Sequence, residues 1–372
     1  MNSKPPIRIC HITTVHPRYD PRIFVKECRG LAKNGYEVFL VVADGKGDEE
    51  KEGVKILDVG KSEGRIHRVL FLPKKALKKA LKLNAEIYHF HDPELLKIGK
   101  KLVKKRKKVI YDSHEDLPRQ VLDKAYIPEL IRKPLSSFLE RFEDRIVSKL
   151  SGVVTVTPTL VKRFAKNNSN IVEVRNFPLV EEFDVNNEQI PKENAVCYVG
   201  AISKVRGVLN MVEAMKYSDG IKLLLGGKFQ STELRKNAKC SEGWDYVSEL
   251  GFLNREEVKN TLLKSIAGLV VLEPTVSYLQ SIPVKMFEYM IAGIPVIASD
   301  FDYWKSLIQE EECALFVDPC NPKDISEAIK LLVNDKDLAK KMGARGKNAV
   351  LNKFNWNNEE KKLLDFYLKL LK

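Results

Sequence analysis

The sequence predicts an α/β chain built as two doubly wound, parallel-sheet domains. Three observations carry this. Short apolar runs alternate with helix-patterned segments along the whole length, the signature of strands covered on both faces by helices. The 372 residues exceed what one core usually holds. A polar stretch with two prolines, Phe177–Asn194, lies midway and follows neither period.

In the first half, strands are expected at Ile7–Thr13, Glu37–Ala43, Val54–Val59, Glu86–His91, Val109–Asp112, Val153–Thr157 and Ile171–Val174. Helices fit between most of them, such as Pro21–Asn34 closed by Gly35. The second half repeats the rhythm at Ala195–Val199, Lys222–Leu225, Val247–Leu250, Gly268–Leu272, Pro295–Ala298 and Ala314–Val317. The linker divides the chain into domains 1–180 and 181–355, joined by one crossing. Residues 356–372 form a separate amphipathic helix that could pack on either.

The hydrophobic fraction of 44% is ordinary for a globular protein. No long uncharged apolar run offers a membrane span, and MNSKPPIRIC lacks the apolar stretch of a signal peptide, so a cytoplasmic protein is expected. The six cysteines, Cys10, Cys28, Cys197, Cys240, Cys313 and Cys320, form no C-x-x-C pair and read as free, buried thiols. The net charge of +13 is uneven. Lys74, Lys75, Lys78, Lys79 and Lys82 alternate with apolar residues at helical spacing, and Lys97, Lys100, Lys101, Lys104 and Lys105 do the same. These basic amphipathic helices are either solvated faces or surfaces for anionic lipid headgroups. Nucleic acid is disfavoured, because no aromatic residues interleave them for base stacking.

Ligands of such sheets bind beyond the carboxyl ends of the strands, so residues there rank first. The first strand ends in TTVHPRYDPR, which offers Thr13, His16, Arg18, Asp20 and Arg22 in place of a G-x-G-x-x-G loop. Asp20-Pro21 also reads as a plain N-cap with proline at the first helical position. HFHDPE brings His91 past the fourth strand, where Asp92-Pro93 is another cap candidate; His11 and His89 read as core or supporting residues. YDSHED places His114, Glu115 and Asp116 past the fifth. No H-E-x-x-H or D-x-D spacing suggests a metal, and no cofactor is expected.

In the second half, SIPVKMFEYMIAGIPVIASD reads as a proline-started helix, a glycine stop at Gly293 and a buried strand. The N-terminus of that helix, at Ile282, Pro283 and Val284, suits an anion. Lys285 and Glu288 are three apart and share a face, one suited to phosphate and the other to sugar hydroxyls. VGAISKVRG supplies Gly200, Lys204 and Arg206 after the strand before it. Gly226, Gly227 and Lys228 follow the next strand. The bland alternative is turn chemistry with solvated cations.

Assembled, these residues resemble the GT-B-fold glycosyltransferases, in particular the retaining family 4 enzymes of bacterial surface-polysaccharide assembly. PVKMFEYMIAGIPVIASD is similar to the family's nucleotide-sugar segment; YDSHE and the pattern Asp20–Glu27 resemble a subset acting on surface polysaccharides. The resemblance implies two Rossmann-like domains facing each other across a cleft, an acceptor-side domain followed by a donor domain. It implies transfer of a sugar from a nucleoside diphosphate to an acceptor hydroxyl, with retention and without a metal. By resemblance, Glu288 holds the ribose hydroxyls, Arg206 the diphosphate, and Lys285 the phosphate or sugar. His91 lies near the transferred sugar, and Leu250–Leu253, with Phe252 and Leu253, lies beside the base. His16, Arg18, Asp20, Arg22, His114 and Glu115 fall on the acceptor side. The family's second glutamate, eight positions before Glu288, is here Gln280, which hydrogen-bonds without charge. The implied partners are a nucleotide-sugar, a saccharide or lipid-linked acceptor, and an anionic membrane surface. A catalytically silent nucleotide-binding scaffold and a sugar-nucleotide epimerase are the alternatives on the same fold.

Overall fold

The computed structural model describes residues 5–124, 127–183 and 190–372. Residues 184–189 of the expected linker lie outside them, as do the first four residues of the chain. The chain divides into two units, Met1–Asn176 with Trp356–Lys372, and Phe177–Asn355. The final helix, Trp356–Leu371, therefore belongs to the first unit, and the chain passes twice between the units rather than once.

The first unit holds a sheet of eight strands: β1 Arg8–Ile12, β2 Glu37–Val42, β3 Glu49–Lys51, β4 Val54–Asp58, β5 Ile87–Phe90, β6 Lys108–Ser113, β7 Gly152–Thr155 and β8 Ile171–Glu173. Their order is β3-β4-β2-β1-β5-β6-β7-β8, parallel except where β3 pairs with β4. β3 was not expected. Its sequence, EEK, carries no apolar residue, and it lies at the sheet edge, where charged side chains are ordinary.

Strand alternation sorts the faces of this sheet. Cys10, Ile12, Tyr88, Phe90, Val109 and Tyr111 join one apolar core. Ile9, His11, Ile87, His89, Ile110 and Asp112 alternate with them and face the other side. That side is covered by Pro21–Cys28, wound as a π-helix and continued by α-helix Arg29–Lys33, and by Trp356–Leu371. The lysine-rich segments form helices Leu72–Lys82 and Leu96–Lys104, which bury Leu72, Ala76 and Ala80, and Leu96, Ile98 and Leu102.

The second unit holds a six-stranded parallel sheet: β9 Ala195–Val199, β10 Lys222–Gly226, β11 Val247–Gly251, β12 Ala267–Val270, β13 Val296–Ser299 and β14 Ala314–Val317, in the order β11-β10-β9-β12-β13-β14. Apolar clusters cover both faces, one containing Val196, Leu223 and Leu269, the other Cys197, Leu224 and Val270. Gly293 closes helix Val284–Ile291 in the left-handed region, with φ 73°. Pro283 stands one place earlier than expected, as the N-cap in extended conformation. All six cysteines are free, but only four are buried. Cys240 caps the exposed end of helix Thr232–Lys239, and Cys320 sits in the turn after β14.

Candidate functional site

The second-unit sheet reverses direction at β9. The chain adds β10 and β11 on one side, then returns to lay β12, β13 and β14 on the other. The crevice beyond the strand ends at such a reversal is where these sheets take ligands. Gly200 follows β9 there with φ 145°, and a Cβ on it would lie 2.7 Å from Lys285 Nζ. Gly227 follows β10 with φ 138°, and a Cβ on it would lie 1.8 Å from Gly200 O. Only glycine permits these two backbones to approach so closely.

Lys285, in the first turn of helix Val284–Ile291, aims its ammonium into this corner. Its Nζ lies 3.9 Å from the Tyr198 ring centroid, is buried, and has no hydrogen-bond partner. Burial pushes its pKa down to about 7, and the charge of Arg206 adds to the depression. Arg206 Nη1 donates to Ala201 O at 3.2 Å, and its Nε to the Tyr278 hydroxyl at 3.4 Å. Tyr198 donates its hydroxyl to the same carbonyl at 2.8 Å. Two cations thus converge on neutral partners, an arrangement stabilised by an incoming anion. No side chain caps the adjacent helix N-terminus.

Glu288, one turn further, is not free. Arg255 Nη1 donates to its Oε1 at 2.9 Å, and the same guanidinium pairs with Glu182. Sequence reasoning missed Arg255, which follows the Leu250–Leu253 segment and opens helix Arg255–Lys264. Its pairing spans 33 positions and has no local signature. Phe252 is exposed, with Lys228 Nζ 5.3 Å from its ring centroid. Leu253 packs over Gly226. Gln280 ends helix Val276–Leu279; Ile282, Pro283 and Val284 are half-buried and Lys204 is exposed.

The first-unit sheet reverses between β1 and β5. Beyond those strands, Asp92 Oδ2 accepts from Thr14 N at 2.5 Å and from the Thr13 hydroxyl at 3.1 Å. Asp92 therefore fixes the loop after β1 rather than capping its own helix. Asp20 is the N-cap anticipated for Pro21, accepting from Arg22 N and Ile23 N. Despite burial its pKa is lowered to about 2, because His16 and these backbone N–H groups hold the charge. His16 stands 3.4 Å from Asp20 and 3.5 Å from Asp92. Burial alone would lower its pKa, but the two carboxylates outweigh this and raise it. His114 packs edge-on to His16 with centroids 5.0 Å apart, and Glu115 is exposed beside it.

Three residues expected to face a ligand are turned inward. Arg18 is buried in bonds to both carboxylate oxygens of Asp44 at 2.7 Å, to Glu49 at 2.8 Å and to Gly47 O at 3.0 Å. Arg22 donates to Asp112 at 2.9 and 3.2 Å and to Val174 O at 3.1 Å, and stands 3.1 Å from Glu27. A buried guanidinium must find such acceptors, and distant acids supply them. His91 is 1% exposed: its Nε2 lies 2.9 Å from His11 Nδ1, and its Nδ1 3.3 Å from Asp112. Its ring turns inward because β5 alternation sets it on the face carrying His89. Arg22 holds the Asp112 carboxyl well below its usual range, although burial alone would raise it. Glu27 is pushed up by burial, with Asp112 adding to the effect.

Residues 180–349 match the family described as glycosyl transferases group 1, and residues 22–176 the one described as glycosyltransferase family 4. An uncharacterized glycosyltransferase of Methanocaldococcus jannaschii is 25% identical over 179 residues, 47% of this chain and 45% of the relative. The chain thus spans about half the length of that relative. A second from the same organism is 25% identical over 70% of this chain and 75% of its own. A GDP-mannose-dependent alpha-(1-6)-phosphatidylinositol monomannoside mannosyltransferase of Mycobacterium tuberculosis is 30% identical over 23% of each chain. Among solved structures, sucrose-phosphate synthase of Thermosynechococcus elongatus superposes with TM-score 0.77 at 18% identity, covering 98% of this chain and 99% of the other. HepE of Anabaena in complex with UDP-glucose gives 0.74 at 11%, covering 98% and 100%. Such low identities speak for the fold, GT-B, and the family matches speak for the rest: this chain belongs to the group 1, family 4 glycosyltransferases.

Proposed function

We propose that the chain moves a sugar from a nucleoside-diphosphate sugar to an acceptor hydroxyl with retention of configuration, and that the donor diphosphate binds at Arg206 and Lys285. The observation that carries this reading is the buried, unpartnered Lys285 ammonium beside Arg206 at the strand reversal. A departing diphosphate gathers negative charge as the glycosidic bond breaks. Two fixed cations and an uncapped helix N-terminus would stabilise that charge in place. Glu288 would take the ribose hydroxyls once Arg255 yields it. UDP-glucose bound in HepE supports a nucleotide-sugar donor. His91 enters as a positioning residue, since its ring faces the interior.

The acceptor reading is a lipid-linked saccharide at the inner face of the cell membrane, in surface-polysaccharide assembly. It is supported by apolar side chains left in solvent beside the lysine-rich helices. Phe71 precedes helix Leu72–Lys82 at 52% exposure, and Leu130 and Phe138 on helix Glu129–Val147 are 92% and 63% exposed. Cations with neighbouring apolar groups suit an anionic lipid interface. Sedimentation with anionic vesicles at low salt should capture the chain, and high salt should release it. A chain that stays in the supernatant at low salt removes this part.

The donor site is tested by thermal shift with UDP, GDP, ADP and their sugars. A ligand at a hundredfold its Kd adds about 2.7 kcal/mol of stability. One nucleotide should raise Tm selectively, and Glu288→Ala should abolish the rise. No rise with any nucleotide sinks the assigned site.

A further inference from the structure

We propose that the first unit contains a buried site for one divalent transition-metal ion, with zinc the best fit, held by His11, His89, His91 and Glu27. No H-E-x-x-H spacing announces it, because the donors come from three elements. His11 and His89 are register partners on β1 and β5, and His91 lies two residues past His89 on the same face. Glu27 descends from the helix that covers that face. One ligand atom from each lies within 4.8 Å of the others, and all four residues are buried. Glu27 Oε2 is 3.8 Å from His11 Nδ1 and 3.9 Å from both His89 Nδ1 and His91 Nε2. None of these nitrogens hydrogen-bonds to it, and the other carboxylate oxygen, Oε1, stands 3.1 Å from Arg22 Nε.

A buried carboxylate oxygen ringed by three imidazole nitrogens that do not touch it implies a species in between. Spacing discriminates between an ion and a water. Four donors about 2.1 Å from a tetrahedral zinc lie about 3.4 Å from one another. Donors about 2.8 Å from a water lie about 4.6 Å apart. The Glu27 distances of 3.8 and 3.9 Å fall nearer the metal value, while the 2.9 Å between His11 Nδ1 and His91 Nε2 is a direct hydrogen bond that an ion would replace.

The surrounding groups fit as well. Metal-bound histidines hold their second ring nitrogen against a carboxylate or other acceptor, which fixes the tautomer. His91 Nδ1 faces Asp112 Oδ2 at 3.3 Å, and Arg22 anchors that carboxylate. His11 Nε2 faces the Tyr367 hydroxyl at 3.2 Å. On binding, the ion replaces the His11–His91 hydrogen bond. Its proton moves within His11 to Nε2, where Tyr367 accepts it. The Tyr367 hydroxyl, 2.7 Å from His89 Nδ1, gives up that nitrogen as the fourth donor, His89 keeping its proton on Nε2, and the Glu27 carboxyl releases its proton to solvent as the ion binds. All four ligands and Tyr367 belong to the first unit, and the site does not depend on the donor reading.

The test uses the full chain with any affinity tag removed, incubated with zinc chloride and passed through metal-free buffer. Elemental analysis should return about one zinc per chain. Glu27→Gln and His89→Gln should lower it to background. Because either variant could fail to fold, two measurements use milder changes. Cobalt loading of the wild type should give the visible bands of a tetrahedral nitrogen–oxygen site. Tyr367→Phe should weaken zinc binding about tenfold or more. Wild type that retains no zinc and gains no Tm from it overturns the proposal in favour of a buried water. Zinc retained equally by folded Glu27→Gln overturns it in favour of surface binding.

Discussion

The two units share one topology and treat charge in opposite ways at the same place. Each sheet reverses at its first strand, and each collects ionisable groups beyond the strand ends. In the first unit the cations are saturated: Arg18 meets Asp44 and Glu49, and Arg22 meets Asp112 and Glu27. In the second unit Lys285 faces an aromatic ring and Arg206 faces neutral oxygens. The difference teaches what each cation is for. A compensated buried charge holds its own fold together, while an uncompensated one costs stability until a ligand supplies the missing anion.

The largest break in this comparison should come from Arg22→Met. Removing the guanidinium leaves Asp112 and Glu27 buried without it, and the loss expected is about 3–5 kcal/mol. Denaturant unfolding of the first unit reads this directly. Retained stability would mean that the two acids find other partners.

Arg206→Ala should act on the other side of the contrast. It should leave the unfolding midpoint close to wild type while cutting kcat/KM for the verified donor by about a hundredfold to a thousandfold. An unchanged rate would refute the diphosphate assignment.

The smallest effect concerns pH and sharpens the case for Lys285. Its folded pKa of about 7 lies below its unfolded value, so between these the unfolded chain holds the extra proton. Stability should therefore rise with pH from about 7 toward 10, and Lys285→Met should flatten that rise. A bound diphosphate favours the ammonium, so nucleotide affinity should fall as pH climbs above 7, by at most about tenfold per unit. Calorimetry in two buffers of different ionisation enthalpy would detect the proton taken up; no uptake at pH 8 would count against the contact.

The strands were legible because apolar runs report burial directly. Every strand read from the pattern is present, whereas β3 escaped because EEK has no apolar residue to betray it. Gly200 and Arg206 could be picked out because they follow a strand end, and Lys285 and Glu288 because they share a face of one helix, both properties of local order. The partners could not. Arg18 lies 26 residues from Asp44, Arg22 90 from Asp112, and Arg255 33 from Glu288. Nothing within a short window distinguishes an arginine that meets a ligand from one that meets a distant acid. His11, His89 and His91 show the same limit, since strand register joins residues that sequence separates.

The Tyr367 contact also dictates an order of assembly. Its hydroxyl reaches His11 across 356 positions of sequence, so the part of the histidine-bearing face that Trp356–Leu371 covers stays open until residue 367 has been synthesised. The second unit, with all its strands between residues 195 and 317, can condense while the first still waits for its last helix. A nascent chain should thus emerge with its earlier half the later to mature, and a chain cut before Trp356 should hold a folded second unit attached to an unfinished first unit.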